Sequence, residues 1–170
     1  MNIELRDDEK IQVKHTEDIY TVMKKVLKRQ EELNLDREHF WVMGLNIHQW
    51  ILYLELVSLG TVDATLVDPM SVFSFALQKS ACNIVLLHNH PSGDLIPSDK
   101  DKDVTDRMIQ VGKILYTPVL DHLVISMRTY LSFLDAGIME ELEESTKREP
   151  SYVTQERIRR RRSWGRSSGG

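Results

Sequence analysis

LLHNHPSGDLIPSDKDKD, Leu86 to Asp103, brings an apolar run to an end on two histidines one residue apart. Pro91, Gly93 and Pro97 keep the next segment irregular. Asn83–Leu87 is short and apolar, bounded by polar residues, which favours a buried strand. His88 and His90 stand at its C-terminal end. Side chains two apart on a strand share a face, so both imidazoles can converge on one ion. Ser98 opens a helix with an apolar stripe of Val104, Met108, Val111 and Leu115. Catalytic zinc takes three protein ligands and keeps a fourth position for water. Asp101, in the first turn of that helix, is the candidate third ligand. The same residues have a plainer reading. Ser98-Asp99-Lys100-Asp101 fits a capping-box variant that needs no function. Asp94, Asp99, Asp101 and Asp103 also fit a solvated acidic turn.

Working outward, Ile3–Val13 alternates loosely and is read as a short strand. Thr16 is a plausible N-cap, with Glu17 and Asp18 in the first turn. Ile19, Val22, Met23, Val26 and Leu27 then carry the spacing of an amphipathic helix, and 31–38 reads as a polar connection. Phe40–Ile47 and Ile51–Leu59 are strands joined by the turn Asn46–Gln49, an antiparallel hairpin. Asp68-Pro69 caps and starts a helix running to about Ser80. Val119–Ser126 and Thr129–Phe133 form a closing pair of strands, and Met139–Glu144 a short acidic helix. Strands and helices around one core imply an α/β sandwich. Hairpins and crossovers both occur, so the sheet is mixed.

The chain has 170 residues, with 41% hydrophobic and 28% charged residues, as expected of one globular domain. A single cysteine excludes an internal disulfide and points to a reduced, cytoplasmic setting. The charged N-terminus has no signal-peptide pattern, and no apolar run approaches the ~20 residues that span a membrane. Net charge is −4 but unevenly spread. Residues 156–170 hold six arginines and one glutamate, a net +5, leaving −9 on the other 155. An acidic body is unlike a dedicated nucleic-acid-binding domain. The Arg157–Arg166 tail by itself can touch phosphate or an acidic partner. After Pro150 the polar composition predicts disorder.

His88, His90, seven residues, Ser98, two residues and Asp101 spell H-x-H-x7-S-x2-D. This resembles the JAMM motif of the JAB/MPN metalloprotease superfamily, and HNHPSGD…PS resembles its bacterial RadC branch. HFWVMGLN, ELVSLGT, DHLVI and YLSF are similar to RadC-type segments and come in the same order. The resemblance implies a JAB/MPN-type α-β-α sandwich with a mixed sheet, a single domain over 15–139. It leaves 1–14 as an N-terminal segment and 140–170 as an acidic helix and Arg-rich tail. It further implies a zinc metallopeptidase: His88, His90 and Asp101 as Zn2+ ligands, Ser98 stabilising the tetrahedral intermediate, and Glu55 of YLELVSLGT as general acid/base. Met70 after Pro69, and Ser126-Met127-Arg128 in the last turn, depart from the usual arginine and glycines.

The residues themselves also single out Glu55. It is the only charge between Ile51 and Leu59. A carboxylate in an apolar strand is costly unless paired or functional; the plainer reading is an outward-facing residue on an edge strand. Cys82 is six strand residues from His88, about 20 Å, too far for a catalytic pair, and reads as a small buried thiol. His122 reads as a satisfied structural histidine, with a supporting role behind the site as the other option. Trp41, Trp50 and Tyr53 read as core or hairpin packing. The leading expectation is hydrolysis of a peptide or isopeptide bond. The alternatives are a DNA-associated protein, the traditional DNA-repair label of RadC members, binding nucleic acid through its tail, and a non-catalytic interaction module. No membrane partner is expected.

Overall fold

In β4 (Asn83–Asn89), Ile84 and Leu86 face one apolar core while Val85 and Leu87 face another. This is the two-residue period of a strand buried on both faces. β2 (His39–Leu45) pairs with β4 antiparallel, and β5 (Val119–Ile125) pairs with it parallel. A parallel partner requires a crossover, and α3 (Asp99–Ile114) supplies it. The computed structural model describes residues 1–29, 35–60 and 67–144. Within them β1 (Asn2–Ile3), β3 (Ile51–Leu59) and β6 (Tyr130–Ser132) complete a sheet of order β1-β3-β2-β4-β5-β6.

One face is covered by α1 (Thr16–Arg29), whose Ile19, Val22, Met23, Val26 and Leu27 are all buried against Trp41, Met43 and Leu45. The other is covered by α2 (Pro69–Gln78), α3 and α4 (Ile138–Glu144), through Phe73, Met108 and Met139 among others. The result is the expected α-β-α sandwich with a mixed sheet in one domain. No described helix is long and apolar enough to cross a membrane.

Several boundaries differ from expectation, each for a local reason. The N-terminal strand is only Asn2–Ile3. Asp7–Glu9 turns instead into a short 3-10 helix, because Glu9 is drawn inward, 2% exposed, to pair with Arg29 of α1 at 2.7 Å. Further along, an isolated bridge from Gln12 to Trp50 ties this segment back to the hairpin. Thr16 is the first helical residue rather than the cap. The Asp18 carboxylate accepts from the Lys14 and His15 amides at 2.8 and 2.9 Å, satisfying the helix start from inside. β2 stops at Leu45 because the Asn46 side chain accepts from the His48 and Trp50 amides, folding the hairpin turn. Asp68 caps α2 as expected, accepting from the Met70 amide. The predicted apolar stripe of α3 is half buried at its end: Val104 and Met108 are buried, Val111 and Leu115 only partly. Of the predicted connection, 31–34 lies outside the described residues, as does everything after Glu144.

Trp41 and Tyr53 are core residues as expected, while Trp50 is 46% exposed at the end of the hairpin turn. Opposite Tyr53 stands Gly44. A Cβ there would lie 2.0 Å from the Tyr53 ring. Gly44→Ala is therefore expected to lower stability by about 1–3 kcal/mol, the usual cost of overpacking. Urea unfolding should show this as a lower midpoint at unchanged slope. An unchanged midpoint would mean that the Tyr53 ring finds another seat.

Candidate metal centre

β4 runs two residues further than the apolar run suggests, taking in His88 and Asn89. His88 continues the parity of Ile84 and Leu86, so it points to the face covered by α2 and α3. Asn89 points to the opposite face. There it accepts from the His39 amide at 2.8 Å and donates to the Leu35 and Arg37 carbonyls at 3.0 and 2.9 Å. The residue between the two histidines thus fastens the entry of β2 to the end of β4.

After β4 the chain reverses through Pro91–Gly93, where Gly93 takes a φ of +76° that an L side chain would resist. The Gly93 amide closes this turn on the His90 carbonyl. Asp94 then accepts from the Ile96 amide and from the Ser92 hydroxyl. Ser98 is the N-cap of α3. Its hydroxyl accepts from the Asp101 amide at 3.1 Å, and the Asp101 carboxylate accepts from the Ser98 amide at 2.7 Å. The capping box is real, and it is also what aims Asp101 at the histidines.

His88 Nε2 lies 3.1 Å from Asp101 Oδ1 and 3.0 Å from His90 Nε2, and His90 Nε2 lies 3.1 Å from Asp101 Oδ2. His88 and Asp101 are buried and His90 nearly so. Three ligand-type atoms at this separation repel unless a cation, a proton or a metal, is shared among them. These three residues could hold a metal ion. Asp94, Asp99 and Asp103 stand outside the group. Asp94 instead contacts the far nitrogen of His90, with its carbonyl 3.1 Å and a carboxylate oxygen 3.3 Å from Nδ1.

The charges within the group respond to one another. The hydrogen bond that the Asp101 carboxylate accepts leads a set of effects that push the His90 imidazole up to about 9. Burial works to raise the Asp101 carboxyl. Hydrogen bonds from His88, His90 and the Ser98 amide outweigh it and hold the group below the usual carboxylate range.

His122 is the satisfied buried histidine that the sequence suggests, and it also stands behind the cluster. β5 pairs with β4 so that Leu86 stands beside His122, and His122 Nε2 reaches His88 Nδ1 at 2.7 Å. Its other nitrogen meets the Thr105 hydroxyl of α3 at 2.6 Å. Both residues are 0% exposed. Burial, above all, lowers the His122 pKa well below its ordinary value, which keeps the ring neutral.

Glu55 lies two strands away, on the same face. It stands opposite Val42, which stands opposite Leu86. Two strand spacings and two residue rises put its Cα about 12 Å from that of His88. It is not on an edge, since β1 covers β3 at Asn2, and its side chain is only 19% exposed. Its Oε1 is 3.9 Å from the Met1 amino group, and its Oε2 is buried without a hydrogen-bond partner among the described residues. Burial raises its carboxyl, opposed by the Met1 amino group. Cys82 precedes β4 at the far end of the strand from the histidines, its amide bonded to the Leu45 carbonyl. A cleft of about 420 Å³ opens at His90, walled by Asp36 and by Met127 and Arg128. A larger one of about 580 Å³, near His15 and Asp135, contains none of the three clustered residues. The Arg157–Arg166 tail lies outside the described residues.

The profile of the RadC-like JAB domain family matches residues 13–138. A UPF0758 protein of Symbiobacterium thermophilum is 42% identical over 106 residues, 62% of this chain and 45% of its own length. One from Caldanaerobacter subterraneus is 40% identical over 111 residues, 65% and 48%. One from Methanosarcina barkeri is 37% identical over 133 residues, 78% and 56%. The chain spans about half the length of these curated relatives.

Proposed function

The chain belongs to the RadC-like JAB domain family, and from that premise we propose that it is a cytoplasmic zinc metallopeptidase cleaving a peptide or isopeptide bond. The observation that carries this reading is the convergence of His88 Nε2, His90 Nε2 and the Asp101 carboxylate at 3.0–3.1 Å. Two imidazoles and one carboxylate are a donor set suited to catalytic zinc. Tetrahedral zinc with bonds of about 2.0–2.1 Å separates its ligands by about 3.4 Å, a few tenths of an ångström from the spacing here. His88, His90 and Asp101 would hold the ion, leaving one position for water. When bound, zinc supplies a Lewis acid that polarises a carbonyl and brings a water's pKa down to about 7.

The chain's own residues do the rest. Glu55 takes the proton of the attacking water and returns it to the leaving amine. Its burial, which raises the carboxyl, and its Oε2, without a hydrogen-bond partner among the described residues, support this, because a carboxyl of raised pKa is a better proton acceptor. The Ser98 hydroxyl, while accepting from the Asp101 amide, keeps its own proton to donate to the developing oxyanion. The cleft at His90 gives the substrate chain a place beside the reacting carbonyl.

Metal analysis of protein purified without added zinc tests the reading. Wild type is expected to carry about one zinc per chain, the number one such ligand set holds, and His90→Ala far less at the same fold. Equal, negligible metal in both would end it.

A further inference from the structure

The larger cleft lies at the end of the sheet away from the metal cluster. Val85 and Leu120, near the starts of β4 and β5, help to line it, whereas His88 and His90 lie at the other end of β4. Its volume of about 580 Å³ is that of an ordinary ligand pocket, about 300–1,000 Å³. The floor is apolar: Ile19 from α1, Leu45, Val85 and Leu120 from the sheet, and Leu134, 54% exposed, at the rim. Tyr130 of β6 walls it. Glu17, Asp121 and Asp135 gather around that ring, and its phenol responds to all three: burial first, then these carboxylates, raise its pKa. Among the described residues none of the three is in an ion pair. Asp121 is buried, yet its carboxylate has capacity left. Its Oδ1 accepts from the His122 and Leu134 amides and its Oδ2 from the Ser132 hydroxyl, which leaves one lone pair on Oδ2 unused. Lys14 is the one fixed cation in the lining, so the cleft sets a net negative charge over an apolar floor.

The chain itself carries the complement. Residues 157–166 hold six arginines, no acidic residue and one aromatic residue, Trp164. An indole supplies a large apolar contact, and a guanidinium both forks onto carboxylates and stacks on aromatic rings. The reach is short. α4 starts three residues after Asp135 and rises about 9 Å along its length, so Glu144 lies within about 20 Å of Asp135. The segment 145–156 can span up to about 40 Å, twice what the return requires. We propose that this cleft is the docking site of the chain's own arginine-rich segment 157–166, with Trp164 on the apolar floor and arginines on Glu17, Asp121 and Asp135 around Tyr130. Arginines engaged there are withdrawn from any external phosphate. The proposal is independent of the metal centre and of the reaction assigned to it.

The test is 15N NMR of the full chain. Amide shifts are compared between wild type, Trp164→Ala, and a variant with Arg159, Arg160, Arg161 and Arg162 all changed to Ser. These changes leave the sequence of the folded body intact, so its fold is not at stake. The amides of Gln49, Val85, Leu120 and Asp135 are expected to differ between wild type and both variants, while those around His90 coincide. The difference due to the arginines should fade in about 1 M NaCl, where the screening length falls to about 3 Å. It should also shrink when Glu17→Gln and Asp135→Asn are combined, since both positions are exposed and their loss removes charge rather than packing. It should not depend on protein concentration, because the tail belongs to the same chain. Cleft amides that coincide in wild type and both tail variants overturn the proposal. So do differences centred on α4 or on the cleft at His90. Differences that grow with protein concentration overturn it as well, because the tail would then come from a second copy.

Discussion

Glu55→Gln is expected to lower hydrolysis by about 10²–10⁴-fold, the range that a positioned general acid–base group contributes, while zinc content and stability stay at wild-type values. The substitution is nearly isosteric, and it replaces a side chain whose Oε2 lacks a hydrogen-bond partner among the described residues. It removes the ability to take and return a proton, together with a long ion pair to the exposed Met1 amino group. No ligand of the cluster touches Glu55, so metal binding has no reason to change. The assay is cleavage of ubiquitin-like fusions and unstructured peptides by zinc-loaded wild type and variant, with metal content measured on the same preparations. Cleavage by the variant at the wild-type rate would remove Glu55 from the chemistry and return it to the status of a buried strand carboxylate. Loss of zinc together with activity would mean that it supports the site rather than the reaction. The acid limb of kcat/KM offers a second check. Burial raises this carboxyl, so the limb should lie above the usual glutamate range and should vanish in Glu55→Gln.

The parts of this site that obey chain-local rules were legible in the sequence. Strand parity placed His88 and His90 together because a two-residue period needs no tertiary information. The S-x-x-D pattern placed Asp101 because a capping box is a local structure. Glu55 stood out because a charge in an apolar strand is conspicuous wherever the strand lies. His122, Thr105 and Asn89 obey no such rule. The bond from His122 to His88 depends on the parallel register of β4 with β5, across a crossover of some thirty residues that spacing does not encode. Thr105 looks like any threonine inside a helix until β5 is laid against it. Asn89 hides between two conspicuous histidines, and only the docking of residues 35–39 reveals its three hydrogen bonds. The misjudged boundaries have the same origin. The alternation of Ile3–Val13 looks like a strand until Glu9 finds Arg29, twenty residues away. A pattern can signal a period, but it does not show which distant charge will bend the chain out of it.

Asp101→Asn and Ser98→Ala should separate the two jobs that the start of α3 performs. In Asp101→Asn the side-chain carbonyl can still accept from the Ser98 amide, so the helix start survives and the protein folds. The anion between His88 and His90 is gone, and an amide faces the two imidazole nitrogens instead. Loss of a mere outer partner weakens metal binding 10–100-fold. Loss of the one anionic ligand should therefore exceed about a hundredfold, leaving the variant effectively zinc-free after dialysis. Ser98→Ala does the reverse. The Asp101 amide loses its acceptor, which costs about 0.5–2 kcal/mol of stability as for other lost N-caps, while the Asp101 carboxylate still accepts from the backbone amide at position 98. Zinc should remain, and any drop in turnover then measures what the hydroxyl gives to the oxyanion. The two variants are to be compared by zinc content, urea midpoint and cleavage rate on the same preparations. A zinc-loaded Asp101→Asn would take Asp101 out of the ligand set and reduce the S-x-x-D pattern to a cap. A zinc-free Ser98→Ala would show that the cap is what makes the ligand, since Asp101 could not then hold its aim without it.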